Sequence, residues 1–299
     1  MSLQEKVLKL RMDAAIAMRH ASFWQKAITE HGEEKATAFY THLGLNHLEK
    51  KSVEFDGLTL RREPRETEKI AVKGVHQAQE SGKEAIGKIL LELRASLISD
   101  GLKGIKKLDP ATYHELTLSV SPESRTSLRD RLIAVHAQGR KLVAAELNKT
   151  KEAKPKPIAD EFELLDDLVD VTDSRIANDV QSRIIAATTR YRLLGLGDAA
   201  LWKAVEDEIR MGSVSYVDRA ATGLANQVIN IGRSDEASRL GFERVEYSAL
   251  LDQNVCGPCA AEDGKEADNE DDLAPAPNPE CEGGDWCRCF HVFIAEGNM

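Results

Sequence analysis

All five cysteines of this 299-residue chain fall between Cys256 and Cys289, and that clustering constrains its fold more than any other feature. A disulfide scaffold spreads its bridges through a structure, and an odd number of thiols leaves one over. Sulfur confined to so short a stretch marks one local site instead. The block reads Cys256-Gly257-Pro258-Cys259, then Cys281, then Cys287-Arg288-Cys289, with His291 beyond. Two thiolates at C-x-x-C spacing converge on one ion, and a second pair returning from about 20–30 residues away closes a tetrahedral site. The stretch between them is rich in Gly, Pro and acidic residues and cannot build a core of its own. A metal crosslink of about 10 kcal/mol or more would let it fold.

The expected cofactor is therefore a structural zinc. Cys256 and Cys259 are the firmest ligands, and Cys281 with Cys287 is the favoured second pair. Cys289 is the reserve, because C-x-C ligation needs a bent backbone. On a strand Cys287, Cys289 and His291 would share one face, so His291 stays open as a ligand. A disulfide-stapled or simply reduced tail is the plain alternative. Cys-Gly-Pro-Cys is also the thioredoxin tetrapeptide, whose first thiolate sits at a helix N-terminus. That fold needs about 70 further residues of sheet, against 40 turn-rich ones after Cys259. A zinc deaminase would need His-x-Glu ahead of Pro-Cys-x-x-Cys. His31-Gly32-Glu33 lies more than 220 residues upstream, and Pro258 falls inside the cysteine pair.

No P-loop, G-x-G-x-x-G or G-x-S-x-G stands in the sequence, so no catalysis by the chain is expected. His20, His42, His47, His76, His114 and His136 scatter over helical segments and read as surface or packed side chains. Trp24, Trp202 and Trp286 read as packing anchors. No apolar run reaches the ~18–20 residues of a membrane span, and the N-terminus lacks a secretory apolar region.

The fold reads as mainly α. Leu3, Val7, Leu10, Ala14 and Met18 mark one helical face over 3–29, and a second helix covers 34–50. Val53–Leu60, with Gly57 inside, is a hairpin or a loop. Helical spacing resumes after Pro64 through Leu97, Pro110 and Pro122 read as turn or helix-start signals, and 123–148 forms an amphipathic helix with a solvated charged face. Residues 1–148 thus form a helical N-terminal region. Residues 149–172 hold a Lys/Pro-rich linker (149–160) and an acidic segment (161–171) that gives reach. Residues 173–299 form a helical domain ending in a small zinc-clipped α+β lobe. Its helices cover 174–194, 199–210 (capped by Asp198) and 215–231, with 234–240 continuing after a break. Strands follow within 242–251 and 288–294.

Charge divides the chain as well. Residues 1–150 carry 25 Lys/Arg against 20 Asp/Glu, whereas 151–299 carry 15 against 30. A half with a net charge of −15 repels phosphates, so wrapping of nucleic acid is not expected.

The run from about 175 to 294 resembles the head-morphogenesis domain of phage Mu protein F-like minor head proteins. The resemblance rests on Gly197-Asp198, Arg219-Ala220, Asn230-Ile231-Gly232-Arg233, Leu251-Asp252 leading into Cys256–Cys259, Asp263-Gly264-Lys265 and Cys287-Arg288-Cys289. Two departures stand out. Gly284-Asp285-Trp286 replaces the family's His-Pro, with Cys281 just upstream in place of the histidine. Gly223-Leu224-Ala225 stands where relatives often have Ala-Arg-Thr-Glu. The resemblance implies a non-enzymatic minor structural protein of a tailed phage or prophage. Its partners would be the portal protein and capsid components, with incidental contact to packaged DNA and neither membrane nor small-molecule substrate. It would sit inside the virion capsid, and in the host cytoplasm during assembly. A cytoplasmic zinc-ribbon adaptor is the competing reading, and a C-x-x-C thiol-disulfide oxidoreductase the third.

Overall fold

A computed structural model describes residues 53–147, 162–251 and 255–295. The helices expected at 3–29 and 34–50, the linker 149–160, and Trp24, His20, His31, His42 and His47 lie outside them. The chain divides into two compact units, residues 1–63 and 64–299. In the first, β1 (Val53–Phe55) and β2 (Leu58–Leu60) pair antiparallel. Asp56 and Gly57 both take positive φ, 48° and 80°, the signature of a two-residue hairpin turn whose twist suits the strands it joins.

The second unit is mainly helical: α1 (Glu66–Ile105), α2 (Pro122–Glu146), α3 (Glu163–Leu193), α4 (Asp198–Met211) and α5 (Ser213–Leu240). Leu90 and Leu97 of α1, Leu128 and Val135 of α2, Ile176 and Ile184 of α3, Val205 of α4 and Val228 of α5 share one buried core. The expected boundary at 149–172 therefore separates no domains. A Lys/Pro-rich connection between two helices of one core reads in sequence like one between domains. The acidic segment does not serve as a tether from Glu163 on. There it forms the first turns of α3, with Leu165 and Val169 buried and Asp166 paired to Arg129 of α2.

Helix ends follow their side chains. Ser121 caps α2 by accepting the Ser124 N–H at 3.2 Å, and Pro122, lacking an N–H, takes the first position. Gly195 ends α3 at φ 74°. Asp198 is not the cap expected of it. Gly197 holds that position, and Asp198 lies in the first turn of α4, where its charge favours the helix dipole.

The break expected after residue 231 is absent, because α5 runs through. Gly232 is small for a tertiary reason. A Cβ there would clash with the His136 carbonyl, and one on Gly139 with the Ile229 carbonyl, so α2 and α5 cross with their backbones in contact. The charged face of α2 is not wholly solvated either. Arg140 and Glu146 are buried, Arg140 Nη2 lying 2.8 Å from Glu236 Oε2.

Beyond α5 lies a small strand-containing lobe. β3 (Arg244–Ser248) is the middle of an antiparallel sheet ordered β4-β3-β5, with β4 at Glu266–Ala267 and β5 at Phe290–Ile294. Both long strands fall where expected. A short helix, α6 (Gly257–Glu262), follows Cys256.

Candidate metal centre

Local structure places each thiol. Cys256 is the N-cap of α6 and Pro258 lies in its first turn, so Cys259 points inward one turn on and is fully buried. Cys281 is set by a turn in which its N–H bonds the Asn278 carbonyl at 3.0 Å. A 3-10 turn, Gly284–Trp286, delivers the chain to Cys287 in extended geometry, φ −62° and ψ 124°. That bend brings the sulfurs of Cys287 and Cys289 to one side, meeting the demand C-x-C spacing makes on the backbone.

Cys256 Sγ lies 3.6 Å from Cys281 Sγ, and Cys259 Sγ 3.9 Å from Cys287 Sγ. A tetrahedron of thiolates about 2.3 Å from zinc has sulfur–sulfur edges of about 3.8 Å. The sulfurs form two groups that could hold a metal ion, Cys256/Cys259/Cys281 and Cys259/Cys287/Cys289, sharing Cys259. None is in a disulfide, and all but Cys256 are buried. All five candidates named from sequence thus converge.

His291 does not join them. Its Nε2–H donates to the Ala274 carbonyl at 2.9 Å, and Nδ1 lies 2.7 Å from Glu270 Oε1, so both ring nitrogens are used. His291 is on β5 opposite Tyr247, where the strand carries it past the sulfurs.

Crowding decides the electrostatics. Burial pushes the Cys259 thiol up, and pushes Cys281 up to about 12. Cys289 is raised chiefly by its hydrogen bond with Cys287, whose own value that bond draws down to about 6. Neighbouring thiolates in a dry site repel, and a divalent cation at their centre reverses that balance. The donor set, all soft sulfur, suits zinc, copper(I) or iron–sulfur chemistry.

One face of α5 holds the cysteine strand in place. Asn226 Nδ2 donates to the Cys287 carbonyl at 2.6 Å, Asn230 Nδ2 to the Cys289 carbonyl at 3.0 Å, and Arg233 Nη2 to the His291 carbonyl at 2.6 Å. Glu146, ion-paired with Arg233, accepts the Phe293 N–H. Alternate carbonyls of a strand point the same way, about 6.6 Å apart, while helix positions four and three residues apart advance about 6 and 4.5 Å. A helix ridge of polar side chains thus serves the extended segment 287–289 and the start of β5 as a neighbouring strand would, and occupies that edge against further pairing.

Between the two cysteines Arg288 turns the other way. Its Nε donates to Gln79 Oε1 at 3.1 Å, and its Nη2 lies 3.1 Å from Glu80 and 2.8 Å from His76 Nδ1. Burial, then this guanidinium, lower the His76 pKa. Asp263 accepts the Ala249 N–H at 3.1 Å, and the Gly264 N–H bonds the Tyr247 carbonyl at 2.8 Å. Gly264, at φ 88°, has no Cβ to strike the Arg65 guanidinium.

The tryptophans differ from one another. Trp202 packs as an anchor, its ring under Lys106 at 5.3 Å and Arg192 at 6.0 Å. Trp286 is no anchor: it is 37% exposed at the tip of its turn. His136 is buried and bonded to Asp235 at 2.7 Å, as a packed side chain should be.

Three residues of the site escaped sequence reading: Asn226, Glu146 and Tyr247. The four-and-three spacing of Asn226, Asn230 and Arg233 on one helix face was the available signal for the first. Together the fold and site define a helical protein carrying a strand-containing lobe whose cysteines could hold a metal ion. Comparison with protein-family models, with curated proteins and with solved structures found no match.

Proposed function

We propose that this chain is a minor structural protein of a tailed-phage or prophage head, acting with the portal and capsid during assembly, packaging or ejection. Its lobe is clipped by structural zinc held among Cys256, Cys259, Cys281, Cys287 and Cys289. One observation carries this reading. Three of the segments that resemble the Mu protein F-like domain, Asn230–Arg233, Asp263-Gly264 and Cys287–Cys289, meet at one seam though they are spread over 60 residues. Asn230 and Arg233 hold the carbonyls of Cys289 and His291, while Asp263-Gly264 turns beside Ala249 and Tyr247.

The two departures from that family also meet each other. A Cβ on Gly223 would come within 3.0 Å of the Asp285 Cα, so the glycine makes room for the Gly284-Asp285-Trp286 turn. Paired departures at one contact are what a divergent member of one fold would show. The zinc would supply cross-linking alone, and no step of chemistry is assigned to it. Among the described residues no helix is long and apolar enough to cross a membrane.

The test is co-expression with a tailed-phage portal protein, followed by metal analysis and sedimentation of portal rings. About one zinc per chain and co-sedimentation with the rings are expected. A zinc-loaded chain that never associates with portal or procapsid would overturn the head-protein reading and favour the adaptor. A metal-free chain with a reducible Cys256–Cys259 bridge would favour the oxidoreductase.

A further inference from the structure

The Tyr247 hydroxyl is all but orphaned. The residue is fully buried, and its oxygen makes no well-formed hydrogen bond, with only the Cys289 sulfur as a weak partner. β3 register sets it opposite His291, whose ring packs edge-on at 5.6 Å and spends both nitrogens elsewhere. Tyr247 packs in one buried cluster with Cys259, Cys287 and Cys289, and of these sulfurs Cys289 bears most on its hydroxyl. These three are one of the two metal-competent groups. A buried O–H without an acceptor is destabilising, and a neutral thiol is a weak acceptor. A metal-bound thiolate is a good one.

We propose that Cys289 is a ligand of the metal and that Tyr247 is its positioning residue, donating its O–H to the Cys289 sulfur. This rests on the metal-centre reading and sharpens it. The buried group Cys259/Cys287/Cys289 holds the ion, and the fourth position is filled from the Cys256–Cys281 pair. Asn230 fixes the Cys289 carbonyl from one side, and Tyr247 fixes its sulfur from the other. A donor to a thiolate ligand withdraws charge from sulfur and restrains its direction, and loss of such an outer partner typically weakens a metal site 10–100-fold.

The experiment uses the full chain loaded with zinc, and separately with cobalt(II), whose sulfur charge-transfer bands report on each thiolate. Tyr247→Phe removes only the hydroxyl. It should keep one ion per chain and the wild-type helical circular dichroism, shift the charge-transfer bands, and lose zinc to EDTA about ten-fold faster. Cys289→Ser should lower the charge-transfer intensity by about one thiolate in four. Unchanged bands and wild-type zinc loss in Tyr247→Phe would overturn the proposal. So would a full four-thiolate spectrum in Cys289→Ser, which would return the site to Cys256, Cys259, Cys281 and Cys287. A wild-type chain that takes up neither metal would remove the metal centre itself, a failure distinct from either variant's.

Discussion

The helical body and the cysteine lobe solve the same problem with different means. The body buries long aliphatic rows from five helices against one another, and apolar area at about 25 cal/mol per Å² suffices to hold it. The lobe cannot do this. Four of the side chains in its own buried cluster are cysteines, and α2 and α5 lend it Val143, Leu147 and Ala237. It substitutes directional bonds for area, with amide and guanidinium donors along one strand edge and a sulfur cluster suited to a metal. A core made of area tolerates small changes anywhere, whereas one made of a few directed contacts fails at named atoms.

The strongest way to break the comparison is to remove the sulfur centre. With Cys256 and Cys259 both changed to Ser, or with a chelator present, amide exchange over residues 244–294 should rise to near the unprotected rate, because about 10 kcal/mol of metal binding is lost. Protection in α1, α2 and α3 should persist. Acid should act in the same direction, since protons compete for thiolates. If body and lobe lose protection together, the two do not differ in kind.

The reverse experiment strikes the body. Gly139→Ala drives a methyl group into the Ile229 carbonyl, and α2 and α5 must separate, at about 1–3 kcal/mol or more. The thermal midpoint should fall by several degrees. Because α5 also carries Asn226 and Asn230, metal should leave faster as well. A lower midpoint with unchanged metal retention would show that the lobe does not depend on how closely α5 is seated.

What could be read in the sequence follows this same division. The helices of the body announce themselves by apolar spacing, and Pro122 and Ser121 mark the start of α2 where chemistry requires. The thiols were legible as a cluster because C-x-x-C and C-x-C are local patterns. Long-range contacts were not legible. Gly232 reads locally as a break, whereas α5 runs through it and the close approach of α2 is what leaves no room for a Cβ there. Asp198 reads as a cap until Gly197 takes that position. Arg140 and Glu146 read as solvated charges, and their burial depends on partners 96 and 87 residues away. Asn226 and Tyr247 act on groups 61 and 42 residues off in sequence, distances no local pattern covers.

A finer test concerns the strand edge. Asn230→Ala leaves the Cys289 carbonyl buried without its donor, at about 1–3 kcal/mol, and should raise amide exchange in β5 and quicken metal release while the body melts unchanged. Asn230→Asp keeps the shape, removes the donor and sets a carboxylate beside a carbonyl, so it should be worse than Ala. Asp milder than Ala would mean that packing, and not the hydrogen bond, holds the edge.

The smallest effect lies in the body and probes its tolerance. Asp173 of α3 is buried, and neither carboxylate oxygen has a hydrogen-bond partner. Its nearest cation, Arg125, stands off at 3.7 Å. Burial raises the Asp173 pKa above the usual carboxylate value, and Arg125 offsets this only in part. The folded state therefore holds this proton more tightly than the unfolded chain. The group's contribution to stability is fully present below the unfolded pKa of about 3.9 and is lost as pH rises through the folded value. At neutral pH the charge is thus a burden, and Asp173→Asn should raise stability by about 1 kcal/mol or less, read as a small rise in the thermal midpoint. The gain should disappear in solutions acid enough to protonate the wild-type side chain. A gain that persisted at low pH would place the effect in packing, and a loss at pH 7 would show that the ion pair with Arg125 outweighs the burial. Either result would mean that the body, too, leans on a directed contact where its area looks sufficient.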